Sequence, residues 1–229
     1  MKGIRRFLDA TAGRWIRHFF FILLRSYYAL FYNISCADKA RMQNLPGALV
    51  LCTHVSRHDG PMISALLYST RRVRPAVHYD EYYSYVQWFP LMVAGAIPMS
   101  SPKSWPAARR KAQKENALGI MRRVIERGNM VLLFPAGRIK QQAQEVIEPH
   151  FSGAYDTLKA MGDIPVVILR IRGMSKYEPQ VHDQFWSFIG RAKGRRHVLV
   201  EIEVLENGLS TETDLASFNA DLERRFNAG

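Results

Sequence analysis

The chain has 229 residues, with 32 Lys and Arg against 20 Asp and Glu and a formal net charge of +12. That length suffices for one large α/β domain with its own core, and the basic balance narrows the partners to nucleic acid, an anionic membrane surface, or an acidic protein or substrate. The two cysteines, Cys36 and Cys52, lack metal-ligand spacing, which argues for a reduced, cytoplasm-facing protein rather than a disulfide framework.

Residues 1–41 carry Lys2, Arg5, Arg6, Arg14, Arg17, Arg25, Lys39 and Arg41 against only Asp9 and Asp38. These cations are interleaved with Trp15, Ile16, Phe19, Phe20, Phe21, Ile22, Leu23, Leu24, Tyr27 and Tyr28. A bilayer-spanning helix needs about 20 mostly apolar residues. Here Arg17, His18 and Arg25 break the run, and no small-residue cleavage site follows it. The pattern predicts a basic, amphipathic helical segment lying in a membrane interface, with rings at headgroup depth and cations toward anionic lipid. That makes the protein peripheral or monotopic, on the cytoplasmic face of the inner membrane. The plainer alternative is a helix packed on the domain core. The segment is too apolar for a solvated nucleic-acid face, and the chain has no nucleic-acid fold signature.

Residues 42–47 read as a linker between that segment and a domain over residues 42–229. Residues 48–53 are a short buried strand. Asp59 then reads as an N-cap, with Pro61 in the first helical turn. A second strand is expected near residues 75–79, an aromatic helix over 81–93 and a short strand at 95–99. Ser104 is expected to cap a long helix that ends at Gly128. Residues 130–134 form the clearest central strand. Ser152 opens another helix, residues 164–171 another apolar strand, and residues 197–205 a half-exposed strand. Last comes a helix from about residue 213. Strands alternating with helices imply an α/β domain, a central mixed sheet flanked by helices, with ligands where strands end and helices begin.

Two such points carry chemistry. The first is Thr53-His54-Val55-Ser56-Arg57-His58-Asp59-Gly60. A histidine at a strand end, with a carboxylate five residues on, is suited to general-base work. The carboxylate can hold one tautomer and support the charged imidazole. His58 is the competing base; His54 is preferred because the strand end is the more rigid position. His54 and His58 have the i,i+4 spacing of a helical zinc site, but position 55 is Val and the segment reads as a turn, so no metal is expected. The second point is Phe134-Pro135-Ala136-Gly137-Arg138. Gly137 can take a positive φ and let a ligand approach the backbone, and the Arg138 fork suits phosphate. A third basic group, Lys103, Arg109, Arg110, Lys111 and Lys114, surrounds the start of the long helix and is expected to be largely solvated.

These residues resemble the glycerolipid and lysophospholipid acyltransferase superfamily. Thr53 to Gly60 is similar to its Asn-His-x-x-x-x-Asp motif, and Phe134 to Ile139 to its Phe-Pro-Glu-Gly motif. The Arg138-Ile139 continuation looks closest to the acyltransferase half of bacterial 2-acylglycerophosphoethanolamine acyltransferase/acyl-carrier-protein synthetases. Gly95 to Met99 and Ile164 to Val167 correspond loosely to the second and fourth motifs. The resemblance implies transfer of a fatty acyl group from acyl-CoA or acyl carrier protein to a hydroxyl of a lysophospholipid. The thioester is a co-substrate, and no cofactor is implied. His54 would be the base, supported by Asp59, with Phe134, Pro135, Gly137, Arg138, Arg57 and Gly95 binding substrate. Three departures bear on this: Thr53 replaces the motif Asn, Ala136 replaces the motif Glu, and Ser100, Ser101 and Lys103 stand where an arginine usually ends the second motif. They leave open an acceptor without a glycerophosphate, or a lipid-binding protein that no longer catalyses.

Overall fold

The computed structural model describes residues 11–228 apart from 37, 46, 69–71, 85–86, 101–103, 141–143, 173–197 and 206–207. In chain order the elements are α1 (Thr11–Phe31), β1 (Tyr32–Ser35), α2 (Lys39–Asn44), β2 (Ala48–Cys52), α3 (Asp59–Leu67), β3 (Val73–His78), α4 (Tyr79–Tyr82) and α5 (Trp88–Ala94). They continue with β4 (Ile97–Ser100), α6 (Ala107–Glu126), β5 (Met130–Leu133), α7 (Gly153–Met161), β6 (Val166–Arg172), β7 (Val198–Leu205) and α8 (Leu215–Asn227).

The strands form one seven-stranded sheet in the order β1-β7-β6-β2-β5-β3-β4. Strands β6, β2, β5, β3 and β4 run parallel, while β7 is antiparallel to β6 and parallel to β1. The expected mixed sheet is therefore present. Its centre is apolar on both faces, as parallel strands covered by helices require. Ala48, Val50 and Cys52 of β2, with Met130 and Leu132 of β5, face one core that includes Tyr28, Met62 and Ile63. Leu49, Leu51, Val131 and Leu133 face the other, against Met121, Val124, Phe218 and Leu222. Only the period-2 pleat separates these two sets.

The N-terminal segment departs from expectation. Tyr32–Ser35 is a strand of the sheet, and Met42 is buried in a short helix rather than in a linker. Gly47 is pressed on the end of α6, where a Cβ would lie 2.1 Å from the Ile125 carbonyl oxygen. So the break expected at residue 41 falls inside continuous structure. Arg17 also does not point outward: it is buried, and its Nε donates to the Val93 carbonyl at 3.1 Å. With Gly13, Phe21 and Tyr28 it forms the inward stripe of α1 at helical spacing. The opposite side exposes Trp15, Ile16, Phe19, Ile22, Leu23 and Leu30. Among the described residues, no helix is long and apolar enough to cross a membrane.

Two smaller expectations also shift. The aromatic helix splits into α4 and α5. Pro106, not Ser104, precedes α6, without a side-chain cap bond. Asp214 caps α8 by accepting from the Ser217 N–H at 3.0 Å.

Candidate active site

The parallel strands β2 and β5 are neighbours, so the turns that follow them lie side by side at one end of the sheet. One residue beyond β2, Thr53 is still tied to β6. Its N–H donates to the Leu169 carbonyl at 3.1 Å, and its hydroxyl accepts from the Ile171 N–H at 2.9 Å. His54 thus leaves a strand whose end is fixed. Its carbonyl accepts from the Lys140 N–H at 2.7 Å, and its own N–H donates to Glu145 Oε1 at 3.3 Å.

Asp59 does not cap α3, as the sequence suggested. His58 holds the cap position, and the Asp59 carboxylate reaches back across the turn instead. Its Oδ2 accepts from the N–H groups of Val55 at 2.7 Å and Ser56 at 2.9 Å, and lies 2.9 Å from His54 Nδ1. The Asp59 side chain is fully buried, while the imidazole is 20% exposed. A buried carboxylate needs such donors to stay charged. An ionised carboxylate has only acceptors, so it places the imidazole proton on Nδ1 and leaves the Nε2 lone pair free. The Phe134 ring stacks on the imidazole, with centroids 4.2 Å apart and planes 18° apart. Tautomer and ring plane are therefore both held.

His58 is directed elsewhere. Its Nδ1 lies 3.3 Å from the Tyr28 hydroxyl on α1, and burial lowers its pKa from the usual histidine value, with Asp59 partly opposing. It packs the N-terminal helix onto the domain, so of the two histidines only His54 is held by the Asp59 carboxylate.

After β5, Phe134 to Gly137 close a turn through the Gly137 N–H and the Phe134 carbonyl at 3.0 Å. Gly137 has φ +63°, and Pro135 and Ala136 are buried beneath it. Arg138 is half-exposed and already engaged: its Nη2 donates to Glu148 Oε1 at 2.7 Å. Arg57 is exposed in the turn between His54 and Asp59. Gly95 ends α5 with φ +73° just before β4 begins, and its carbonyl accepts from Arg74 Nε at 2.6 Å. Its role is to turn the chain, because Arg72 and Arg74 fill the space a side chain would need.

The basic group at α6 is divided. Arg109 stacks over the Trp105 ring at 3.6 Å, and Lys114 pairs with Asp156 at 2.5 Å. Lys111 approaches Glu115 at 4.0 Å, and Lys103 and Ser101 lie outside the described residues. Both cysteines are free thiols, and burial raises the pKa of each. Among the described residues no group of three His, Cys, Asp or Glu is placed to hold a metal.

One residue near the base escaped the sequence reading. Glu145 is 1% exposed, and its carboxylate is pushed up to about 7 by burial. The His54 N–H and the charges of Lys140 and His54 oppose that rise, and Asp59 adds to it. Glu145 lies 91 residues from His54 in a stretch without helix or strand. Its only sequence cue is an acidic residue beside Val146 and Ile147.

A family model described as Acyltransferase matches residues 33–172. None of the curated proteins searched matches the chain by sequence. Among solved structures, the fold is similar to a 1-acyl-sn-glycerophosphate (LPA) acyltransferase, PlsC, from Thermotoga maritima. The TM-score is 0.59 at 15% identity, over 98% of this chain and 86% of that one.

Proposed function

This chain belongs to the acyltransferase family, and we propose that it moves a fatty acyl group from acyl-CoA or acyl carrier protein to a hydroxyl of a lysophospholipid. The observation that carries this reading is the 2.9 Å contact of His54 Nδ1 with a fully buried Asp59, which leaves Nε2 as the nitrogen that can accept a proton. His54 Nε2 takes the proton of the acceptor hydroxyl as its oxygen attacks the thioester carbonyl carbon. The tetrahedral intermediate collapses, the C–S bond breaks, and the imidazolium returns the proton to the leaving thiolate. Products are an ester and a free thiol, with no acyl-enzyme. Asp59 stabilises the transient imidazolium and fixes its orientation. Gly137 and Arg138 seat the acceptor headgroup.

The test is thiol release from palmitoyl-CoA and from acyl carrier protein, with a panel of lysolipids, for wild type beside His54→Ala. Acceptor-dependent release that falls about 10³-fold in the variant supports the reading. Equal release in both removes it.

A second reading has its own support. Arg138 is held by Glu148, and Ala136 stands where the motif has a glutamate, which favours an acceptor without a glycerophosphate. A lipid hydroxyl or amine lacking phosphate in the same panel decides between them.

The outward apolar side of α1 supports attachment to an anionic membrane surface, through Trp15, Ile16, Phe19, Ile22, Leu23 and Leu30. Replacing Phe19 and Leu23 by Ser should weaken sedimentation with anionic vesicles at least about tenfold, because each buried CH₂ contributes ~0.8 kcal/mol. Both side chains face solvent, so Tm should not change. Unchanged vesicle binding would remove this assignment.

A further inference from the structure

Two carboxylates flank His54, and the mechanism above uses one. Asp59 meets the imidazole, while Glu145 meets the backbone N–H of the same residue at 3.3 Å. Glu145 is itself gripped by the C-terminal helix. Its N–H donates to Asn227 Oδ1 at 2.8 Å, and its carbonyl accepts from Asn227 Nδ2 at 2.9 Å. Two residues on, the Ile147 N–H donates to Glu223 Oε2 at 2.8 Å. On its other side, Lys140 donates to the His54 carbonyl. The segment is thus fastened to α8 at one end and to the base at the other. Glu145 Oε2 is buried with no partner among the described residues. A passive loop brace does not need an ionisable group there, because a buried carboxylate with an unpaired oxygen weakens the fold.

We propose that Glu145 is a positioning residue for the base: in its ionised form it pulls on the His54 N–H and holds the end of β2, and so the imidazole, in the reactive position. The proposal rests on His54 being the base.

The groups around this carboxylate are His54 and Cys52 at the end of β2, Asp59 at the start of α3, Lys140 on the neighbouring loop, and Glu223 and Asn227 on α8. Burial places its titration close to neutral pH, so small pH changes switch the hold. A protonated carboxyl is a weaker acceptor than a carboxylate. The ionised form, above neutrality, is therefore the tight one.

The experiment compares kcat and KM of wild type and Glu145→Gln at several pH values. Glutamine keeps an acceptor oxygen but never a charge. The kcat ratio should be near one at pH 6 and grow to roughly tenfold at pH 8, with KM unchanged. A ratio independent of pH would overturn the proposal, because a purely structural role loses the same factor everywhere. In parallel, the ¹⁵N–¹H resonance of the His54 amide is followed through the titration. Its pH-dependent shift should differ between wild type and Glu145→Gln; identical titration curves overturn the proposal. This arm needs no turnover. If wild type transfers no acyl group at all, the proposed function falls while the amide still judges Glu145. Should Glu145→Gln fail to fold, Asn227→Ala loosens the same segment. It should lower kcat severalfold without changing KM, and an unchanged kcat would count against the proposal.

Discussion

The turn after β2 and the turn after β5 share an outline but are built to different tolerances. In the first, one buried carboxylate oxygen gathers the His54 ring and two backbone N–H groups, and the imidazole is clasped by Phe134. In the second, the cation is half-exposed and its ion pair with Glu148 reaches only ten residues along the chain. The base proposed for His54 would have to be held in one tautomer and one direction, and the position of this imidazole is over-determined. A headgroup contact can exchange one anion for another, and an exposed pair between Arg138 and Glu148 contributes little to the fold.

That contrast can be broken from the rigid side first. Asp59→Asn keeps the volume but removes the charge, and its amide can favour the wrong imidazole tautomer. We expect kcat to fall by about 10²–10⁴, measured by thiol release, with little change in KM. The Val55 and Ser56 N–H groups also lose a charged acceptor, so stability should drop by roughly 1–3 kcal/mol in urea unfolding. A variant within twofold of wild type in kcat would place the base elsewhere.

The next test concerns pH and stability. Glu145 has a folded pKa of about 7 against an ordinary value of 4.5. The native protein therefore binds more protons than the unfolded chain between those values, and stability falls as pH rises through them. This group's contribution is fully present below the ordinary carboxylate range. It is lost by about pH 8, on the order of 3 kcal/mol. Wild type and Glu145→Gln should unfold at similar temperatures at pH 4.5, and the glutamine variant should be the more stable by several degrees at pH 8. Parallel curves would mean the carboxylate is not held out of water.

The smallest effect belongs to the loose turn. Glu148→Ala releases Arg138 and should change stability by less than about 1 kcal/mol. If Arg138 receives a phosphate, the variant's KM for a phosphate-bearing acceptor should drop a fewfold while kcat holds. The same KM for acceptors with and without phosphate would remove Arg138 from headgroup recognition.

Much of the fold was legible because its cues are local. Apolar runs such as Ala48–Cys52 and Met130–Leu133 announce buried strands wherever they occur, and their neighbours follow the pleat. The site's centre was legible for the same reason: His54 and Asp59 sit five residues apart and meet within one turn. Helix starts were less legible. An aspartate at the start of a helix normally caps it, but here two upstream N–H groups and an imidazole compete for the carboxylate, and that preference is settled by the turn's shape. Arg17 was expected among the cations facing anionic lipid, but α1 turns it inward to a carbonyl on α5.

By itself, then, the sequence determined the alternation of elements, the two-faced apolar sheet and the pairing of His54 with Asp59, because these depend on contacts within a few residues. Tertiary structure decided what pairs across long stretches of chain. It drew Tyr32–Ser35 into the sheet beside β7, gave Arg138 to Glu148, and carried Glu145 from the C-terminal helix's grip to the His54 N–H. Those contacts form only once the order of the strands is fixed, and strand order is set by packing the whole core rather than by any local run of residues.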